Sequence, residues 1–174
     1  MSDNPYLSYA SSFRKLVDDG INLPLGGMPK PDAPDLSDDA PKSLIFSPHP
    51  DDECIIGGLP LRFMRESGVR VINIAVTLGS NKERQQERLV ELKDACDWIG
   101  FELRETAPDG LERITPSARE NEPDHWNSAV QVIAGILGEL TPQSIFIPHD
   151  ADWNGTHLGV HQLVLDALAS LPSD

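Results

Sequence analysis

Apolar residues fall along this chain in two alternating rhythms. Short, nearly unbroken apolar runs occupy residues 44–46, 69–77 and 143–148, with a weaker one at 101–104. Runs of this kind belong to strands buried on both faces of a parallel sheet. Longer stretches with helical spacing lie between them. One extends from Glu53 or Cys54 to about Arg65, interrupted by Gly57, Gly58 and Pro60 and stopped by Gly68. A second, at residues 82–99, places Leu89, Leu92, Ala95, Cys96 and Ile99 on one stripe and ends at Gly100. Asn127 or Ser128 can cap a third at residues 129–140, and a last helix is expected at 156–169. Residues 106–123, polar and containing Pro108, Gly110 and Pro116, read as a loop.

Strands alternating with helices imply crossovers between parallel strands, hence a Rossmann-like α/β fold: a mostly parallel sheet with helices on both faces. Ligands bind such sheets beyond the carboxyl ends of the strands, where strand order reverses. With strand order 3-2-1-4, the loops after strands one and four open side by side. Ahead of this domain, residues 5–19 suit a short helix with Tyr6, Leu7, Phe13 and Leu16 as its apolar positions. Residues 20–41 carry five prolines and four aspartates and cannot build a core. The expected division is a Pro/Asp-rich arm at 1–41 and a folded domain at 42–174.

Charge narrows the partners. Fourteen basic residues stand against 28 acidic ones, a formal net charge of −14. Such a chain repels nucleic acid and anionic lipid, so neither is an expected partner. Cys54 and Cys96 form no disulfide framework and no CxxC pair, which fits a reducing compartment. Cys54 reads as a small buried filler rather than a reactive thiol. The opening MSDNPYLSYA lacks a basic, apolar signal pattern, and no run of 18 apolar residues occurs. A soluble, cytoplasmic protein is the expectation.

The candidate chemistry gathers at the two loops. The stretch SLIFSPHPDDE, residues 43–53, follows an apolar strand with two prolines, one imidazole and three consecutive carboxylates. Acids in a first helical turn ordinarily serve the helix dipole and its free N–H groups. The sharper reading makes His49 and one aspartate metal ligands and the adjacent aspartate a base. A catalytic zinc needs three protein ligands and an open position. The loop after strand four, PHDADWNGTHLGVHQ, repeats this chemistry with His149, Asp150, Asp152, Asn154, His157 and His161. His157 and His161 stand four apart, on one helical face. Trp153 reads as a loop anchor or a sugar-stacking ring, and His125 as a surface or helix-entry residue.

These residues, with Thr77-Leu78-Gly79 and the pattern R-x-x-E-x-x-x-A-x-x-x-I-G from Arg88 to Gly100, resemble the LmbE-like, or PIG-L, family of zinc-dependent N-acetylglucosaminide deacetylases. The resemblance covers residues 43–169. It implies zinc held by His49, Asp52 and His157, with Fe2+ as the alternative ion and Asp51 as general base. Arg88 corresponds to the family's substrate- or acetate-holding arginine; a solvated helix residue pairing with Glu87 or Glu91 is its ordinary reading. Asn154 stands where the family has a histidine, leaving it an oxyanion donor, with Gly155 and Thr156 in place of Pro-Asp. His149 or His161 would then supply the acid, and His161 is also an alternative ligand. The implied substrate is a small-molecule N-acetyl amino sugar conjugate. A different amide or ester, or a non-catalytic metal-binding relic, are the alternatives. Family members continue past the last helix, so a C-terminal truncation, or a subunit completed by another chain in a homo-oligomer, is also expected.

Overall fold

The computed structural model describes residues 4–23 and 29–172. Pro24, in the expected arm, lies outside the described residues. The chain divides into two units, residues 1–30 and 31–174. The first holds helix α1, Pro5–Gly20, whose start is set by Pro5 and by the Asn4 side chain accepting from the Tyr6 N–H. Asparagine before proline at the first helical position is a favoured N-terminus. Among the described residues, no helix is long and apolar enough to cross a membrane.

The second unit is built on a sheet of β1 (Lys42–Ser47), β2 (Arg70–Ala75), β3 (Glu102–Glu105) and β4 (Ser144–Phe146). All pairings are parallel, in the order β3-β2-β1-β4, as the alternation of elements required. The helices are α2 (Asp52–Ile56), α3 (Gly58–Ser67), α4 (Gln85–Ile99), α5 (Pro116–Asn121), α6 (Pro123–Leu140) and α7 (Gly155–Ser170). Successive strand residues point to opposite faces, which sorts the core into two halves. Leu44, Phe46, Ile72 and Ile74 pack with α6 and α7 through Ile133, Val160, Leu163 and Val164. Ile45, Val71 and Ala75 pack on the other face with Met64 of α3 and Leu92 and Cys96 of α4. Leu36 joins that second cluster, so the latter part of the proline-rich segment lies on the domain body. A buried polar pair links β1 to β2, the Ser47 hydroxyl donating to Asn73 Oδ1 at 2.6 Å.

Four expectations need correction. The helix read from about residue 53 to 65 is two, α2 and α3, broken at Gly57. A Cβ on Gly57 would collide with the Glu53 carbonyl, so the chain bends where only glycine fits. The segment read as a loop to residue 123 contains α5, and α6 begins at Pro123 rather than at 129. Cys54 is exposed, and Glu53 occupies the interior in its place. Trp153 is 92% exposed and anchors nothing.

Candidate metal centre

β1 delivers its chain end to the sheet's carboxyl edge, where Thr77, just past β2, secures it by donating to the Pro48 carbonyl at 2.6 Å. Pro48 and Pro50 then force a tight turn. His49 and Asp52 lock that turn reciprocally: the His49 N–H donates to Asp52 Oδ2 at 2.8 Å, and the Asp52 N–H to the His49 carbonyl at 3.3 Å. The turn leaves Asp51 at φ 121°, a backbone that L-residues adopt rarely, at a cost on the order of 1–3 kcal/mol. Glu53, 1% exposed, holds this conformation by accepting the Asp51 N–H on Oε2 at 3.0 Å.

The loop after β4 meets this turn because β1 and β4 are neighbours. α7 begins with Asn154, whose side chain accepts from the N–H groups of Thr156 and His157. Gly159 lets α7 close in on residues 114 and 115; a Cβ there would lie 2.5 Å from the Ile114 carbonyl carbon and 2.7 Å from Thr115 Cα. His157 Nε2 is thereby set 3.3 Å from His49 Nδ1 and 3.5 Å from Asp52 Oδ2. His49 Nδ1 and Asp52 Oδ2 are 3.5 Å apart. Donors about 2.0–2.1 Å from a tetrahedral zinc are about 3.3–3.4 Å apart, so the three atoms match one face of that tetrahedron. Among the described residues, no fourth His, Cys, Asp or Glu donor joins this group.

Electrostatics favour the liganding state of the carboxylate. Burial alone would raise the Asp52 carboxyl. The facing His49 imidazole first, then the hydrogen bond from the His49 N–H and the His157 ring, outweigh it and hold Asp52 below its usual range. On the outer side, Asp152 Oδ2 lies 2.9 Å from His157 Nδ1 while its Oδ1 accepts the Asn154 N–H at 2.8 Å. The Asn154 backbone N–H first, then His157, lower the Asp152 carboxyl. Partial desolvation, then the Glu53 carboxylate, push the exposed Cys54 thiol up to about 11, which suits no nucleophile.

The remaining sequence candidates are placed as follows. Asp51 is 69% exposed, with Oδ2 3.6 Å from Arg88 Nη2. Arg88 reaches back from α4 to donate to the Pro50 carbonyl at 2.7 Å. Asp51 and Arg88 line a cleft of about 400 Å3 with Asn81, Arg84 and Glu91. His49 lines a second cavity, of about 410 Å3, with Ser80, Gln85, Arg113, Thr115 and Thr156. His149 is turned to solvent, its Nδ1 accepting the Ala151 N–H at 3.0 Å. His161 Nδ1 donates to the Pro148 carbonyl at 2.8 Å. Asn154 is committed to the α7 cap. His125 Nε2 donates to the Glu112 carbonyl at 2.8 Å, at the entry to α6. Sequence reasoning named Glu53 and Asp152 only as acids of their loops, without the buried and imidazole-facing places they take, and missed the cavity wall at residues 111–115. Only the burial of Glu53 had a signal, the third acid of HPDDE directly before a helix.

A model of the PIG-L family, described as GlcNAc-PI de-N-acetylase, matches residues 44–168. The chain belongs to the PIG-L family. A curated relative, 1D-myo-inositol 2-acetamido-2-deoxy-alpha-D-glucopyranoside deacetylase of Mycobacterium leprae, is 28% identical, over 76% of this chain and 51% of the relative. The chain thus spans about half the length of the curated relatives it matches. N,N'-diacetylchitobiose deacetylase from Pyrococcus horikoshii has a similar fold, with TM-score 0.53 and 21% identity over 92% of this chain and 58% of that one. So does GalB, the 4-carboxy-2-hydroxymuconate hydratase from Pseudomonas putida KT2440, with TM-score 0.56 and 14% identity over 74% and 55% of the two chains. A deacetylase and a hydratase on one PIG-L-like scaffold mean that reaction type must be argued from the site.

Proposed function

We propose that this PIG-L chain carries the metal centre of a zinc-dependent hydrolase that removes the N-acetyl group from an N-acetylglucosamine-type sugar conjugate. The observation that carries the reading is the His49, Asp52, His157 triangle with sides of 3.3, 3.5 and 3.5 Å. That triangle is a zinc-sized tetrahedral face, and no fourth His, Cys, Asp or Glu among the described residues joins it. Support for the substrate class comes from the family model and from what the M. leprae relative is named for.

A zinc ion bound there would supply Lewis acidity, polarising the acetyl carbonyl and acidifying water to a pKa of roughly 7. Asp51 stands between two of the ligands in sequence and is the exposed carboxylate of the turn. Its role is to take the proton of the attacking water and return it to the departing amine. Arg88 Nη2, 3.6 Å from Oδ2, aims that carboxylate, and the Glu53-held backbone fixes where it starts. Asn154 spends its side-chain oxygen on the α7 cap and its amide gives up no proton at neutral pH, His149 is turned to solvent, and His161 is bonded to the Pro148 carbonyl. Asp51 therefore serves both proton transfers. The cavity of about 410 Å3 beside His49, walled by Ser80, Gln85 and Thr115 together with Lys82, Glu112 and Arg113, has the size and the hydrogen-bonding groups for a sugar ring.

The test is acetate release from a panel of N-acetyl amino sugar conjugates and simple acetamides by zinc-loaded protein, wild type against Asp51→Asn. The expected result is one zinc per chain in both proteins and release, from sugar conjugates, by the wild type only. Turnover surviving in Asp51→Asn contradicts the base assignment. One zinc per chain without turnover on any substrate favours the second reading, a metal-binding relic, which the replacement of a proton-donating histidine by Asn154 supports.

A further inference from the structure

We propose that Asp152 is the positioning carboxylate of this centre, holding His157 as the Nδ1–H tautomer so that Nε2 keeps its lone pair for an ion. The inference rests on reading the triad as a metal centre, and it concerns a residue of the second loop outside the triad. A neutral imidazole carries one N–H, and an ionised carboxylate can only accept. Three acceptors compete for that proton, among them His49 Nδ1 at 3.3 Å from Nε2. Asp152 Oδ2 is 2.9 Å from Nδ1, whereas Asp52 Oδ2 is 3.5 Å from Nε2, beyond normal hydrogen-bond length. The closer partner wins, and the proton sits on the outer nitrogen.

Asp152 is itself held for the task. Its other oxygen accepts the Asn154 N–H at 2.8 Å, and its own N–H donates to the His149 carbonyl at 3.2 Å. The carboxylate plane is therefore fixed by the same turn that leads into α7. The other polar side chains of this loop are employed elsewhere: Asn154 caps the helix, His149 accepts from Ala151, and His161 donates to Pro148. Orienting carboxylates of this kind raise ligand basicity, and their loss costs about 10–100-fold in metal affinity.

Two measurements test the assignment on the full chain. Long-range 15N correlation spectra of the histidine side chains of metal-free protein, taken well above the usual imidazole range, report which ring nitrogen bears the proton. Competition against a chromophoric chelator reports zinc affinity. Wild type is expected to show His157 protonated on Nδ1. Asp152→Asn keeps an oxygen for the Asn154 N–H but turns an amide N–H toward Nδ1. It is therefore expected to move the proton to Nε2 and weaken zinc binding about 10–100-fold, with little change in melting temperature. Asp152→Ala is expected to lose the tautomer bias and a similar share of affinity. A purely structural Asp152 would shift melting and leave the tautomer alone. Wild-type His157 protonated on Nε2 overturns the proposal, as do variants with wild-type tautomer and affinity within twofold. A protein that takes up no zinc sinks the metal reading separately, while the metal-free spectra still decide the tautomer.

Discussion

Replacing Gly159 by alanine tests whether the packing of α7 sets the geometry of the metal centre. The new Cβ would stand 2.5 Å from the Ile114 carbonyl carbon and 2.7 Å from Thr115 Cα. Ordinary carbon contacts are about 3.5–4.0 Å, so helix and loop must part by about 1 Å. Both obstacles are backbone atoms, and no rotamer change relieves them. Overpacking of this sort costs about 1–3 kcal/mol, against which alanine returns about 1 kcal/mol in helix propensity. A net loss of up to about 2 kcal/mol and a melting temperature lower by several degrees are expected. His157 lies two residues before Gly159 on the same helix, so the shift carries it away from His49 and Asp52. Their present 3.3 and 3.5 Å separations would then exceed the tetrahedral spacing, and zinc affinity should fall at least about tenfold. Thermal denaturation and chelator competition read the two effects. An alanine variant that melts at or above wild type and binds zinc equally well would refute the coupling.

Other consequences are as direct. His157→Ala should abolish stoichiometric zinc uptake, measured by elemental analysis, whereas His161→Ala should keep it, because His161 is engaged with the Pro148 carbonyl. Glu53→Ala removes the acceptor of the part-buried Asp51 N–H and should destabilise the chain by about 1–3 kcal/mol in urea denaturation; a neutral result would mean that Glu53 does not hold the turn. Asp166 takes bonds from Arg119 at 2.8 Å and from the Trp126 indole at 2.9 Å, and Arg119 first of all holds its carboxyl below the usual range. With a depressed folded value, its contribution is complete above the unfolded pKa of about 3.9 and is lost as pH falls through the folded value. The stability gap between wild type and Asp166→Asn should therefore be flat near neutrality and shrink in acid; a gap that widened in acid would contradict this.

The fold was legible where one signal had one meaning. Buried runs alternating with amphipathic stretches left little choice but a parallel sheet, and its order brought residues 49 and 157 together across the chain. Proline misled. Pro116 and Pro123 read as breakers, yet each stands at the first turn of a helix, α5 or α6, where its missing N–H costs nothing. Thr115 caps α5 by accepting the Ala118 N–H at 3.2 Å, a signal that a Thr-Pro pair does carry. Glu53 and Cys54 exchanged expected places because the turn at Asp51 takes a positive φ, and side-chain spacing alone does not reveal how a helix's first turn is rotated. Asp152 was one of several acids in its loop. No fixed interval links a ligand to the carboxylate behind it, so only the coordinates single it out.

The two imidazoles that face each other are 108 positions apart in sequence. An ion between them would clasp the first strand of the sheet to the last and close most of the chain into a ring. Such a clasp adds to cohesion by removing freedom from the unfolded state, and it does so more for a longer ring. Stripping the ion should loosen the short β4 edge first, visible as faster amide exchange at residues 144–146 than in β2.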